Sequence, residues 1–277
     1  MNKLPFLTLF LFFFHANSQY YYKDIVAAAD ITRQMKTYIA NNVKKVTATG
    51  ITPEGTPARD FDETHEVLAN GTILKITTRN NQVISSLRHI FNAAGQLVST
   101  VDSAAGVRSV STYTYDGNGK ITSISNSATD ADSSGDFSQT EVHVYSYKDG
   151  KPDKMWRTIN GRDSLEVRFV ADEAGNVIEE RNFKTRVSSD PTYYYYDDKN
   201  RLTDIVRFNY KANRLLPDFL FEYDENDRVI QKITTTSGFN LGYLIWRYLY
   251  NEKGLKTKEA LFNKEKQLQG RIDYTYN

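Results

Sequence analysis

YYYDDKNRL, residues 194–202, decides how this chain folds, because the same grammar returns along its length. HIFNAAGQL (89–97), YTYDGNGKI (113–121), FVADEAGNV (169–177), FEYDENDRV (221–229) and YLYNEKGLK (248–256) share one pattern. It runs aromatic, any residue, aromatic, Asp or Asn, two variable residues, Gly, Asn or Asp, any residue, aliphatic. LFNKEKQL (261–268) is a weaker copy. The unit recurs every 24 to 27 residues except across one insertion, so it is a structural repeat before it is anything else.

Each unit reads as a β-hairpin. Aromatics two apart share one face of a strand. Asn92, Asp116, Asp172, Asp197, Asp224, Asn251 and Asn263 then take the first position of a tight turn, where a short side chain accepts from the backbone two residues on. Gly95, Gly119, Gly175, Asn200, Asp227 and Gly254 follow three residues later and suit the left-handed conformation that closes a type I turn with a bulge. Lys266 is the one poor fit. Asp149-Gly150 and Asn70-Gly71 instead predict two-residue type I′ hairpins. In this unit Tyr194 and Tyr196 fall on the repeated, core-facing side, and Tyr195 and the preceding Tyr193 on the other.

YTYDGNGKI and FEYDENDRV resemble the YD repeats of Rhs-type proteins, and exported bacterial β-domains that carry similar motifs, over about residues 80–277. The resemblance implies a long antiparallel meander that curls into a shell, roll or barrel. In large Rhs proteins such a shell encloses a toxin that an autoproteolytic core motif releases. No DPxG-type core motif and no C-terminal toxin segment is found in this sequence, so the encapsulating role is not expected here.

Residues 1–18, MNKLPFLTLFLFFFHANS, are a different material. Lys3 gives a positive start, Leu4 to Phe14 are almost wholly apolar, and Ala16-Asn17-Ser18 offers the small-x-small pattern of signal peptidase. The apolar run is too short for a spanning helix. The expectation is cleavage after Ser18, a mature chain starting at Gln19 without a membrane span, and a periplasmic or secreted address. With no cysteine there is no disulfide framework and no lipid-anchoring lipobox. Losing Lys3 leaves 34 basic residues against 34 acidic ones, which argues against nucleic-acid binding. Ala28, Ile31, Met35 and Ile39 lie at helical spacing between Asp24 and Asn42, predicting one amphipathic helix that packs on or plugs the sheet. Strands begin at Val43, with a Pro/Gly loop at 52–57. Residues 19–79 (the helix and first strands) and the repeats of 80–277 are expected to form one continuous domain. The fold class is therefore all-β: serial hairpins plus one N-terminal helix.

Little in the chain points to chemistry. DADSSGDFSQTE (130–141) resembles an EF-hand-type calcium loop, with Asp130, Asp132, Ser134, Asp136 and Glu141 as candidate ligands of a structural Ca2+. Ser138 fits the water-mediated position. Its flanks read as strands, not helices, and the competing reading is a solvated polar loop. His65, His89 and His143 lack metal-motif spacing. No GxSxG, P-loop or HExxH is present. The paired acids Asp197-Asp198 and Asp224-Glu225 occupy turn positions. Trp156, Trp246, Tyr193 and Tyr195 are the candidates for stacking on a glycan or another ligand. The sequence thus suggests a non-catalytic binding or interaction module with a glycan or protein partner. A hydrolase of extracellular polysaccharide and an outer-membrane β-barrel are the alternatives.

Overall fold

The computed structural model describes residues 20–104, 106–130, 137–184, 187–236 and 242–277. It contains one helix, α1 (Tyr22–Ala40), and strands β1 (Lys45–Ile51), β2 (Pro57–Leu68), β3 (Ile73–Asn80), β4 (Val83–Phe91), β5 (Leu97–Ala104) and β6 (Val107–Tyr115). β7 (Ile121–Asp130), β8 (Ser138–Lys148), β9 (Lys151–Ile159), β10 (Asp163–Ala171), β11 (Val177–Lys184), β12 (Val187–Ser188) and β13 (Thr192–Tyr196) follow. The chain ends with β14 (Leu202–Asn209), β15 (Arg214–Tyr223), β16 (Val229–Thr236), β17 (Gly242–Tyr250), β18 (Lys256–Phe262) and β19 (Leu268–Tyr276). Each strand pairs antiparallel with the next, except that β12 and β13 both lie along β11. β1 pairs with both β2 and β19, aligning Val46 with Tyr276, so the meander closes into a barrel. β12 and β13 both pair with β11 and share one stave, giving 18 staves. Closure removes the edges on which a long meander would otherwise aggregate.

The turns obey the repeat. Asp116 Oδ1 accepts the backbone N–H groups of Asn118 (2.9 Å) and Lys120 (2.8 Å), and Asp197, Asp224 and Asn251 do the same in their units. Asn200 (φ 60°) and Asp227 (φ 61°) hold the left-handed position, and so does Lys266 (φ 61°) despite its unsuited side chain. The Asp149-Gly150 hairpin is the expected two-residue turn, with φ 51° and 78°. Asn70-Gly71 departs from expectation: Leu68 pairs with Ile73, so four residues form the loop, and Ala69, Asn70 and Gly71 all have positive φ. LFNKEKQL makes the same turn as its relatives, but it joins β18 to β19 at the opposite end of the barrel from the β17–β18 turn, because consecutive turns of a meander alternate ends.

A ladder along the turn-bearing end explains why the second aromatic is usually tyrosine. The hydroxyls of Tyr115, Tyr147, Tyr196, Tyr223, Tyr250 and Tyr276 donate to the carbonyls of Leu97, Ile121, Val177, Leu202, Val229 and Lys256, at 2.6 to 3.0 Å. Each hydroxyl reaches back to the preceding unit's returning strand. Arg201 and Arg228 stack over Tyr223 and Tyr250 and donate forward to the next turn's carbonyl. The rim is thereby stitched unit to unit.

A bulge follows these turns: Phe91 pairs with Leu97 but Ile90 with Ser99, and the shift recurs in the later units. One extra residue flips the alternation. The inward residue therefore comes three after the aliphatic position and faces the unit's first aromatic. Ile124 pairs with Tyr113, Glu180 with Phe169, Ile205 with Tyr194, Lys232 with Phe221 and Glu259 with Tyr248.

The helix lies inside the ring. At 1.5 Å per residue its 19 residues span about 28 Å. Its start touches β8, β11 and β13, and its end touches β2 and β19, nearly half the ring away. It is a crossbar. Ala28, Met35 and Tyr38 are buried against the wall. Ile39, expected on the apolar face, is instead 49% exposed, because Tyr38 takes the wall contact at the last turn.

Candidate functional site

Both ends of the crossbar are fixed by polar groups buried in the lumen. At its start, the Glu180 carboxylate accepts the backbone N–H groups of Tyr21 and Tyr22 (3.1 and 3.0 Å) and the Tyr194 hydroxyl (2.8 Å). The orphan donors of a helix start carry partial positive charge, so a carboxylate is a natural partner. Burial raises the Glu180 pKa, and those three donors oppose the rise. Beside it, His143 bonds Asp24 through Nδ1 (2.9 Å) and Glu141 through Nε2 (2.6 Å). Burial alone would lower the His143 pKa, but hydrogen bonds and charge from the two carboxylates hold it up at about 9. The imidazolium sits between two carboxylates and ties the helix to β8.

At the far end, the Tyr38 hydroxyl lies 2.9 Å from His65 Nδ1, and His65 Nε2 lies 2.8 Å from Glu63. Burial would raise the Glu63 pKa, but His65 and Thr78 hold it below the usual carboxylate range. His89 nearby is lowered to about 4 by burial and by the charge of His65. Glu259 accepts from Tyr274 (3.1 Å) and pairs with Lys256 (2.6 Å). These clusters are mutually satisfied and hold structure together.

The opposite flank of the helix differs. Ala29, Asp30, Arg33 and Lys36 are exposed although the helix is enclosed by strands, so water lies along that face. It looks toward β15 to β17, where the inward side chains are Phe219, Phe221, Tyr223, Lys232, Trp246, Tyr248 and Tyr250. Phe219 and Phe221 stack at 6.2 Å, and Lys232 Nζ stands 5.6 Å from the Phe219 ring centre. Trp246 is the cross-strand partner of Lys232. Burial lowers the Lys232 pKa; Glu259 and Asp30 pull it up, and Lys256 pushes it down. The Asp30 side chain is 59% exposed, yet the surrounding wall raises its pKa against the pull of Arg33 and Lys232.

The four aromatics picked out by the sequence are not brought together. Trp246 lines the lumen, while Trp156 (46% exposed) and Tyr195 (48%) stand on the outer wall, with Tyr193 beside Val206 on that same side. Tyr194 is buried and Tyr196 half-buried, as the repeat predicts. Of the calcium-loop residues, Asp132, Ser134 and Asp136 lie outside the described residues. Asp130 accepts the Phe137 N–H at 3.3 Å. Glu141 sits four register positions further along the hairpin, opposite Asn126, and is engaged with His143 inside the barrel. No group of three or more metal-ligating side chains occurs among the described residues. On the outer wall a cleft of about 340 Å3 is floored by Leu220, Ile233 and Ile245 and edged by Gln231, Tyr243 and Arg247. Sequence reasoning passed over Glu180, Lys232 and Glu259; the signal that would have found them is the position three after the aliphatic residue.

Among known proteins, the family model described as RHS Repeat matches residues 91–131, which hold the β4–β5 and β6–β7 turns and both strands between them. No curated protein matches the chain. Several solved structures are similar in part, two of them as follows. A TcdB2-TccC3-Cdc42 crystal structure has 11% identity and a TM-score of 0.32, covering 79% of this chain and 16% of that one, so this chain spans a small fraction of its length. A porin-like protein from Bacteroides uniformis has 12% identity and a TM-score of 0.37, covering 85% of this chain and 96% of that one. No described helix is long and apolar enough to cross a membrane, a criterion that does not address strands. Residues 91–131 carry an RHS-type repeat, and the barrel continues its pattern around the ring.

Proposed function

We propose that this chain is an exported, non-catalytic binding module that takes a small ligand into the lumen between α1 and the wall of β15 to β17. One observation carries the reading: a helix enclosed by an 18-stave barrel keeps a water-facing polar flank opposite an aromatic wall. Rings of this size leave an aqueous channel when nothing fills them, and here a single crossbar is the only described filling. Ligand sites combine apolar surface with a few polar groups, as this flank does.

The chain has two tryptophans, Trp156 outside and Trp246 inside. In a Trp156→Phe variant, Trp246 reports on the lumen alone. Acrylamide should quench its fluorescence efficiently in the folded protein; a shielded Trp246 would mean a dry lumen and would sink the reading. Export is tested by the mass of the secreted form, which should begin at Gln19; intact Met1 refutes cleavage.

The outer wall disfavours the membrane-barrel alternative. Arg88, Arg168, Arg181, Arg247 and Lys258 point outward along five strands. Facing lipid near the midplane, they would together cost on the order of 10 kcal/mol. A hydrolase needs a carboxyl pair open to substrate. The Asp24 and Glu141 carboxyls instead share one imidazole inside the wall.

A further inference from the structure

We infer that the luminal ligand is a ring-bearing monoanion, a carboxylate carried on an aromatic or sugar ring, with Lys232 as its counter-charge. This rests on the luminal-binding reading above. Two positive charges of the compartment have no pair among the described residues, Lys36 on the exposed helix flank and Lys232 on the aromatic wall; the others pair off. Asp30 bonds Arg33 at 2.9 Å and Glu259 bonds Lys256 at 2.6 Å. Arg207, beyond Phe219, is paired with Asp218. Lys232 makes no hydrogen bond or ion pair among the described residues, and its ammonium rests against the Phe219 ring. It feels Glu259 and Asp30 without touching either. Of the two, only Lys232 stands among aromatic rings, and one negative charge beside a flat ring matches it.

The surroundings supply the other half of the recognition. Trp246 lies beside Lys232 across the strand pair, and Phe221 lies on its other side. An ammonium over one ring, with further aromatic side chains beside it, holds a carboxylate at the cation and a flat ring against the aromatics. Lys232 lies three residues from the start of β16, and Trp246 four residues inside the end of β17, or about 13 Å down the wall. Burial already weakens the lone ammonium's hold on its proton, and an incoming carboxylate relieves that penalty. Binding is then strongest where Lys232 is charged and fades as the amine loses its proton at high pH.

The test uses the full mature chain with Trp156→Phe, so that Trp246 is the sole tryptophan. Two matched pairs are titrated: phenylacetate against phenylacetamide, and galacturonate against galactose. The proposal expects the anion of at least one pair to change Trp246 emission with a Kd about tenfold below its neutral isostere. That preference should vanish in Lys232→Gln, whose melting curve checks folding. Which pair responds identifies the ring. Equal binding of anion and neutral isostere, or a preference that survives Lys232→Gln, overturns the monoanion inference and leaves the luminal site standing. If no compound alters Trp246 emission or protects it from acrylamide, both the inference and the luminal reading fall.

Discussion

The imidazolium held between Asp24 and Glu141 should make folding stability fall as the solution turns mildly alkaline. The pKa of His143 is held up at about 9 in the folded protein, against about 6.5 unfolded. A base whose folded pKa is raised contributes its full stabilisation below the unfolded value and loses it as pH climbs through the folded one. The window is therefore pH 6.5 to 9. Each pH unit removes at most about 1.4 kcal/mol, so the whole window removes about 3 kcal/mol. For a domain of this size that corresponds to a drop in Tm of roughly 6–12 °C. Tyr21 and Tyr145 are pushed above their ordinary values by burial and stay neutral. Burial raises Glu180 too, in the same sense, so the comparison with His143→Gln isolates the share that belongs to His143. Urea unfolding followed by circular dichroism at half-unit steps from pH 6 to 9.5 reads the slope directly. In His143→Gln the slope over this window should flatten while stability falls at every pH. Should that variant fail to fold, Asp24→Asn should narrow the window by weakening the hold on the proton. A wild-type slope unchanged in either variant would refute the reasoning.

Three further outcomes follow from the same structure. Glu180→Ala strands two backbone N–H groups and the Tyr194 hydroxyl in a buried place, so it should cost about 3–5 kcal/mol in urea unfolding; a loss under about 1 kcal/mol would show that the helix start is not held there. Tyr223→Phe removes the 2.7 Å bond to the Leu202 carbonyl while keeping the ring under Arg201, and should cost about 1 kcal/mol; a neutral result would reduce the rim ladder to packing alone. Millimolar calcium is expected to raise Tm through the acidic segment that begins at Asp130, with the increment lost in Asp130→Ala and retained in Glu141→Gln, because Glu141 faces the lumen. No increment, or the same increment in Asp130→Ala, removes calcium from the account.

The turns and strands were legible because their causes are local. An Asp such as Asp116 bonds backbone two and four residues on, and Gly119 closes the turn, whatever surrounds them. Tyr194 and Tyr196 could be assigned to the core by comparison with their counterparts in other units. The phase shift after each turn was also present in the repeat, since Val177 to Glu180 and Val229 to Lys232 keep one spacing. Plain alternation hides it, and with it the inward acids and the lysine. The same inward phase places Trp246, two residues before Tyr248, in the lumen, whereas Trp156 stands outside, next to the inward Met155.

The amino-acid pattern alone thus specifies a set of hairpins and the face each presents. Which residues meet across the ring depends on the closed fold. His143 reaches Asp24 over 119 residues, Glu180 reaches Tyr21 over 159, and β19 returns to β1. Those meetings depend on the number of staves, the twist that closes them and the length of the crossbar, which are properties of the whole ring. No single repeat encodes where the wall opposite it will stand. The open flank between α1 and Lys232 exists because one helix cannot fill a ring that wide.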